Sequence, residues 1–140
     1  MDFKLSKNSK KNIKGIDKRL IKLVNRVLAK SDIDFGIPNY GGFRTAQEQN
    51  NLFHKRPKVT QLDGFKRQSY HQSGKAFDIF VYDEHGACWD CRDKYISLSK
   101  LFKAEYILMQ EEDIFTQDEK FTWGGDWTRF VDLPHFQIND

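Results

Sequence analysis

The run Ser69-Tyr70-His71-Gln72-Ser73-Gly74-Lys75-Ala76-Phe77-Asp78 sets an imidazole and a carboxylate seven positions apart, with a glycine and an alanine between them. From Lys75 to Tyr82 the pattern alternates and is rich in β-branched and aromatic residues, which predicts a strand entering a core. His71 then stands in the loop before that strand, and Asp78 stands inside it. Gly74 frees the loop to fold back, so that both side chains can point at one spot. Asp78 lies between Phe77 and Ile79, and a carboxylate buried there has to be paired. A metal ion would pair it. One more ligand is needed, and Asp132-Leu133-Pro134-His135 offers a histidine and a spare acid. Taken singly, His71 is more often a satisfied loop histidine than a ligand, and Asp78 more simply the partner of a nearby lysine. The set of them points to a metal.

Ser-x-His-x-x-Gly-x-Ala-x-Asp with a distant Asp-x-x-His resembles the zinc peptidases that cut bacterial peptidoglycan peptides. That family includes D-alanyl-D-alanine carboxypeptidases and the L-alanyl-D-glutamate endopeptidases used as phage endolysins. The resemblance implies that His71, Asp78 and His135 hold a catalytic Zn2+, since two nitrogens and one oxygen with a fourth position open suit that ion. It implies that Asp132 moves protons as the general acid–base; some relatives carry Glu there, and Asp has the shorter reach. Arg44, in Gly42-Phe43-Arg44-Thr45-x-x-Glu48-Gln49, is implied to touch substrate, holding its carbonyl or the developing oxyanion. Ser69 is implied to hydrogen-bond either the substrate or its own loop. The lead-in helix and the Gly42–Gln49 and Trp123-Gly124-Gly125-Asp126-Trp127 runs resemble the endopeptidase branch more than the carboxypeptidases.

These residues need elements to carry them. Ile13, Ile16, Leu20, Leu23, Val24, Val27 and Leu28 recur at helical spacing, predicting one amphipathic helix from a Ser9 cap to about Lys30, weakened at Gly15. Its far face carries Lys11, Lys14, Lys18, Lys22 and Arg26, either a solvated face or one that attracts an anionic wall. Ile33-Asp34-Phe35-Gly36-Ile37 predicts a short strand stopped by Pro38. Thr45 with Glu48 is a capping box that opens a helix through Phe53 and leaves Arg44 just before its amino terminus. Residues 55–68 read as an exposed loop. A second helix is predicted from about Asp93 to Gln110, with Glu111, Glu112 and Asp113 beyond its end. Residues 121–127 and 134–138 close the chain as strands. The fold class expected is α+β: a small antiparallel sheet carrying the zinc site, with helices packed on its outer side.

A chain of 140 residues predicts one domain, 1–140, with a real core. The net charge of +3 is uneven, because residues 1–30 hold ten Lys or Arg against Asp2 and Asp17. Nucleic acid is not the expected partner, because no aromatics interleave with those cations on the 9–30 helix. No run is long enough to span a bilayer, and no signal peptide is read at the amino terminus. The expectation is therefore a monomer made in the host cytoplasm, without stable membrane insertion, that reaches bacterial peptidoglycan through a holin-type pore. A non-catalytic zinc-bearing module is the rival class, and Asp132 with Arg44 argue against it. Cys88-Trp89-Asp90-Cys91 has a spacing used for zinc and for redox pairs; two free thiols are expected. A second cation at Asp83, Glu84 and Asp90 is the lesser reading beside a solvated acidic loop. His54 and His85 match no motif and read as surface residues; the three tryptophans read as core and cleft wall, and Asp126 as a brace for the site or its turn.

Overall fold

The computed structural model describes residues 2–139. The amphipathic stripe folds as two helices, α1 (Lys7–Ile13) and α2 (Lys18–Lys30), where one was expected. Ser6 caps α1, its hydroxyl accepting from the Ser9 N–H. Ser9 is inside the helix and buried, with its Oγ accepting from the Ile37 N–H at 2.9 Å. The break falls at Gly15, whose φ of +91° few other residues adopt. Asp17 restarts the helix by accepting from the Arg19 N–H. Periodicity alone hid this break, because Ile13, Ile16 and Leu20 remain buried on both sides of it.

Six short strands form two antiparallel three-stranded sheets, where a single sheet was expected. The first has the order β1-β3-β4, from β1 (Phe35–Gly36), β3 (Phe80–Asp83) and β4 (Gly86–Cys88). The second has the order β2-β6-β5, from β2 (Ala76–Asp78), β5 (Lys120–Trp123) and β6 (His135–Asn139). The run expected as one strand over 75–82 thus changes sheets at Ile79, whose N–H donates to the Pro134 carbonyl. Two further helices complete the chain: α3 (Ala46–Phe53), opened by the Thr45–Glu48 capping box, and α4 (Arg92–Glu111).

Period two sorts the second sheet. Phe77, Phe136 and Phe121 face inward with Phe102 of α4, the Phe102 and Phe136 rings 4.5 Å apart. Asp78, His135 and Gln137 point the other way. A slip of one residue would drive the charged face into that aromatic core, so the register is strongly fixed. Among the described residues no helix is long and apolar enough to cross a membrane.

Four residues of the expected basic face, Lys11, Lys14, Lys18 and Lys22, are exposed, and the fifth is not free. Lys11 sits on α1, and Arg26 is engaged between helices, donating to Glu105 and to both oxygens of Glu112. Glu112 follows the last residue of α4, so the acidic end is answered by Arg26 and by Lys30 on Glu105. Arg19 is a second tie, forked to Asp17 and to Glu119 at 2.8 and 2.7 Å.

Arg19 hydrogen bonds hold the Asp17 and Glu119 carboxyls at about 2, below their ordinary 3.8 and 4.5. A depressed carboxyl stabilises the fold fully above its ordinary value and loses that contribution as pH falls toward the folded one. Arg19→Ala should therefore cost about 1–2 kcal/mol near neutrality, a figure discounted for partial exposure. In urea unfolding the gap between parent and variant should be full at about pH 6 and nearly closed at about pH 2. A gap indifferent to pH would assign the effect to the stacking of Arg19 on Phe115 instead.

Candidate metal centre

The site is assembled from three pieces of chain. Asp78 and His135 are cross-strand partners in the β2–β6 pair, which fixes their separation by register alone. His71 comes from a 3-10 turn, Tyr70–Ser73, just before β2. Ser69 and Gln72 cap that turn reciprocally: the Ser69 hydroxyl accepts from the His71 N–H, and the Gln72 side chain accepts from the Ser69 N–H. Gly74 ends it in the left-handed region, φ 72°. The turn is moored to the break between α1 and α2, where the Asp17 N–H donates to the Gly74 carbonyl and Lys75 pairs with Asp17.

His71 Nε2, His135 Nδ1 and Asp78 Oδ1 converge, with separations of 3.2, 3.2 and 3.0 Å. The far nitrogens settle the tautomers. His71 Nδ1 lies 2.8 Å from the Gly42 carbonyl and must donate to it; His135 Nε2 does the same to Gln137 Oε1 at 2.8 Å. Both neutral rings therefore aim lone pairs at each other and at a carboxylate oxygen. Three electron-pair donors in contact repel unless a cation joins them. Ligand atoms around tetrahedral zinc stand about 3.3 Å apart, given bonds of about 2 Å. The donor set fits such an ion, and the carbonyl and amide behind the rings are the outer partners that orient metal-binding histidines.

The local field agrees. Burial raises the Asp78 carboxyl, but His71, His135 and Arg44 outweigh it and hold it well below the usual carboxylate range. Burial lowers the imidazole of His71, which is 1% exposed. Burial also opposes charge on His135, yet Asp78 pulls it above its ordinary value, the mark of a place that favours a cation.

Arg44, placed by the α3 capping box as expected, donates from Nη2 to Asp78 Oδ2 at 2.9 Å, from Nε to the Tyr40 carbonyl and from Nη1 to Gln49. It thus braces the second oxygen of Asp78, a task the sequence did not reveal, and two of its five N–H groups remain. Asp132 stands at the rim, its N–H donating to the Gly124 carbonyl. A Cβ at Gly124 would come within 3.0 Å of the Asp132 Cβ, so this glycine is there for close approach. Trp123 Nε1 donates to the Leu133 carbonyl, tying the same loop to β5. Burial and the charge of Asp78 push the Asp132 carboxyl up to about 6.

His71, Asp78, Asp132 and His135 share a cleft of about 610 Å³ with Arg44 and Ser69, lined also by Trp89 and Trp127. His54 and His85 are exposed, as expected. Asp126 pairs with Lys103 at the surface and braces nothing in the site. Cys88 and Cys91 are joined as a disulfide, against the expected free thiols. Their spacing is one used by redox pairs, and the end of β4 and the head of α4 hold the two residues at a Cα separation of 5.7 Å. Asp83 lies near both sulfurs, but bonded sulfurs have no thiolate to give a cation.

A family model described as D-alanyl-D-alanine carboxypeptidase matches residues 63–138, the stretch that holds all three convergent donors and Asp132. The peptidoglycan L-alanyl-D-glutamate endopeptidase CwlK of Bacillus subtilis is 31% identical over 101 residues, covering 69% of this chain and 57% of its own length. The chain thus spans little more than half of that curated relative. The crystal structure of the L-Ala D-Glu endopeptidase ChiX of Serratia marcescens has the same fold, with a TM-score of 0.74 over 99% of this chain and 91% of that one, at 22% identity.

Because Ser69 caps the turn that carries His71, Ser69→Ala should cost about 1 kcal/mol of stability. Chemical denaturation would read this directly. An unchanged midpoint would free the hydroxyl for a role toward the cleft.

Proposed function

The chain belongs to the D-alanyl-D-alanine carboxypeptidase family of peptidases, and from that premise we propose that it hydrolyses an amide of peptidoglycan stem peptides, namely the L-alanyl-D-glutamate bond. The observation that carries this reading is the convergence of three electron-pair donors beside an acid in an open cleft. We assign Zn2+ to His71, Asp78 and His135, whose two nitrogens and one oxygen match its preferred donors. When bound there, zinc would polarise the scissile carbonyl and bring the pKa of a water to about 7.

The remaining work falls to side chains. Gly42 and Gln137 hold the two imidazoles in the tautomers that leave Nε2 and Nδ1 free for a metal. Arg44 keeps Asp78 ionised and turned toward the histidines, and its two spare N–H groups are suited to the substrate carbonyl. Asp132 takes a proton from the attacking water and returns it to the leaving amine. Burial and the neighbouring Asp78 charge raise its carboxyl above the ordinary value, which suits a group that must both take and return a proton. Ser69 serves through the loop and lies at the cleft, where it meets substrate as well.

The endopeptidase bond is favoured by the names of the two relatives, CwlK and ChiX. The likeness of the Gly42–Gln49 and Trp123–Trp127 runs to the endolysin branch supports a setting in host cell lysis, as a monomer delivered through a holin-type pore. The family description keeps one competitor in view, removal of terminal D-alanine. Mass spectrometry of digested peptidoglycan separates them. New amino-terminal D-glutamate, abolished by a chelator, is the expected product; free D-alanine without it would transfer the assignment to the carboxypeptidase.

The division of labour makes a second prediction. His71→Ala and His135→Ala should lose bound zinc by elemental analysis. Asp132→Asn should keep its zinc and lose roughly a hundredfold to ten-thousandfold in turnover. Full turnover in Asp132→Asn would move the proton role to another group.

A further inference from the structure

The Cys88–Cys91 disulfide lies outside the triad, and the proposed reaction makes no use of it. Cys88 ends β4 opposite Val81, and its carbonyl accepts from the buried Tyr95 hydroxyl at 2.9 Å. Cys91 is the residue that opens the 20-residue helix α4. The bond between them fastens a sheet end to a helix head across a ring of four residues. Inside that ring is Trp89. Its ring centroid lies 5.8 Å from that of Phe80, it stays 51% exposed, and it lines the same cleft as His71, Asp132 and His135.

Trp89 is one of several large apolar side chains left exposed, and its place on the cleft wall inside the disulfide ring sets it apart. A rigid aromatic face held open beside a reaction site lowers the ordering cost of binding. We propose that Trp89 is an affinity-determining wall of the cleft that packs on the aliphatic surface of the bound stem peptide, and that the Cys88–Cys91 disulfide is the positioning element that holds it there. This rests on the stem-peptide reading above and adds to it a residue and a dependence on redox state. Reduction breaks the S–S bond, and each sulfur takes one electron and one proton to become a thiol. The four-residue ring then opens, and Trp89 loses the covalent constraint while keeping its contact with Phe80.

The test measures the affinity of a synthetic L-alanyl-D-glutamyl stem tetrapeptide by titration calorimetry, in the metal-loaded Asp132→Asn protein so that the ligand is not consumed. The reductant is a water-soluble phosphine, which leaves as its oxide with oxygen taken from water; thiols are avoided because they ligate zinc. Trp89→Ala, and reduction of the parent disulfide, should each weaken binding by about tenfold, the scale of one aromatic face lost from a cleft. Trp89→Phe should retain most of the affinity. Reduction should add little to Trp89→Ala, because coupled changes are not additive. In the protein with Asp132 intact, KM should rise while kcat holds, and Cys88→Ser/Cys91→Ser should behave as the reduced parent. Unchanged affinity on reduction, or effects of reduction and Trp89→Ala that multiply, would overturn the proposal and leave the functional reading standing. Failure of every form to bind the peptide would overturn both.

Discussion

Three lone pairs directed at one point, at separations of 3.0 to 3.2 Å, form an arrangement that repels itself until a cation joins them. The rest of the molecule is built to hold that arrangement. The tautomers are locked from behind by Gly42 and Gln137. Asp78 is kept ionised from the side by Arg44. Antiparallel register supplies the Asp78–His135 distance without any contribution from loops. A preorganised but unfavourable donor set of this kind would gain its stability from an ion bound there, so the scaffold has to be stiff enough to bear it beforehand.

That stiffness traces to places where the chain departs from regular structure. The helix break at Gly15 exposes the Asp17 N–H, which takes the Gly74 carbonyl and so pins the turn bearing His71. An unbroken helix would have spent that N–H internally. The switch between sheets at Ile79 gives the Pro134 carbonyl a donor immediately before His135. Behind the sheet, Phe77 stacked on Phe136, with Phe102 tilted against both, leaves no slack for a register slip. Binding geometry is therefore a product of the core as much as of the ligands.

Much of this was legible in the sequence where one short-range rule decides. The Thr45–Glu48 capping box fixed α3 and with it the position of Arg44. The Gly74 and Ala76 spacing marked the His71–Asp78 unit, and α4 fell within a residue or two of its expected ends. What escaped depends on tertiary contacts. The 9–30 stripe keeps its buried positions through the break, so periodicity cannot see it. The 75–82 alternation continues through a change of sheet for the same reason. Arg26 reads as solvated until Glu105 and Glu112 arrive from α4. The Cys88–Cys91 spacing already suited a redox pair, and only the expectation of a reducing compartment argued against the bond.

The Trp123–Trp127 run shows how a motif can be informative for a reason other than the one its residue types suggest. Its tryptophans read as core and cleft wall and its acid as a brace, yet Asp126 is spent on Lys103 at the surface. The run instead sets the height of the neighbouring loop. Gly124 admits Asp132 because it has no Cβ, and its carbonyl receives both the Trp127 and the Asp132 N–H. Trp123 then holds the Leu133 carbonyl. The Asp132 N–H and the Leu133 carbonyl are thereby fixed before the chain reaches His135, whose own N–H returns to the Asp132 carbonyl. Acid and histidine are thus two points on one clamped turn. A side chain larger than hydrogen at position 124 would shift both together.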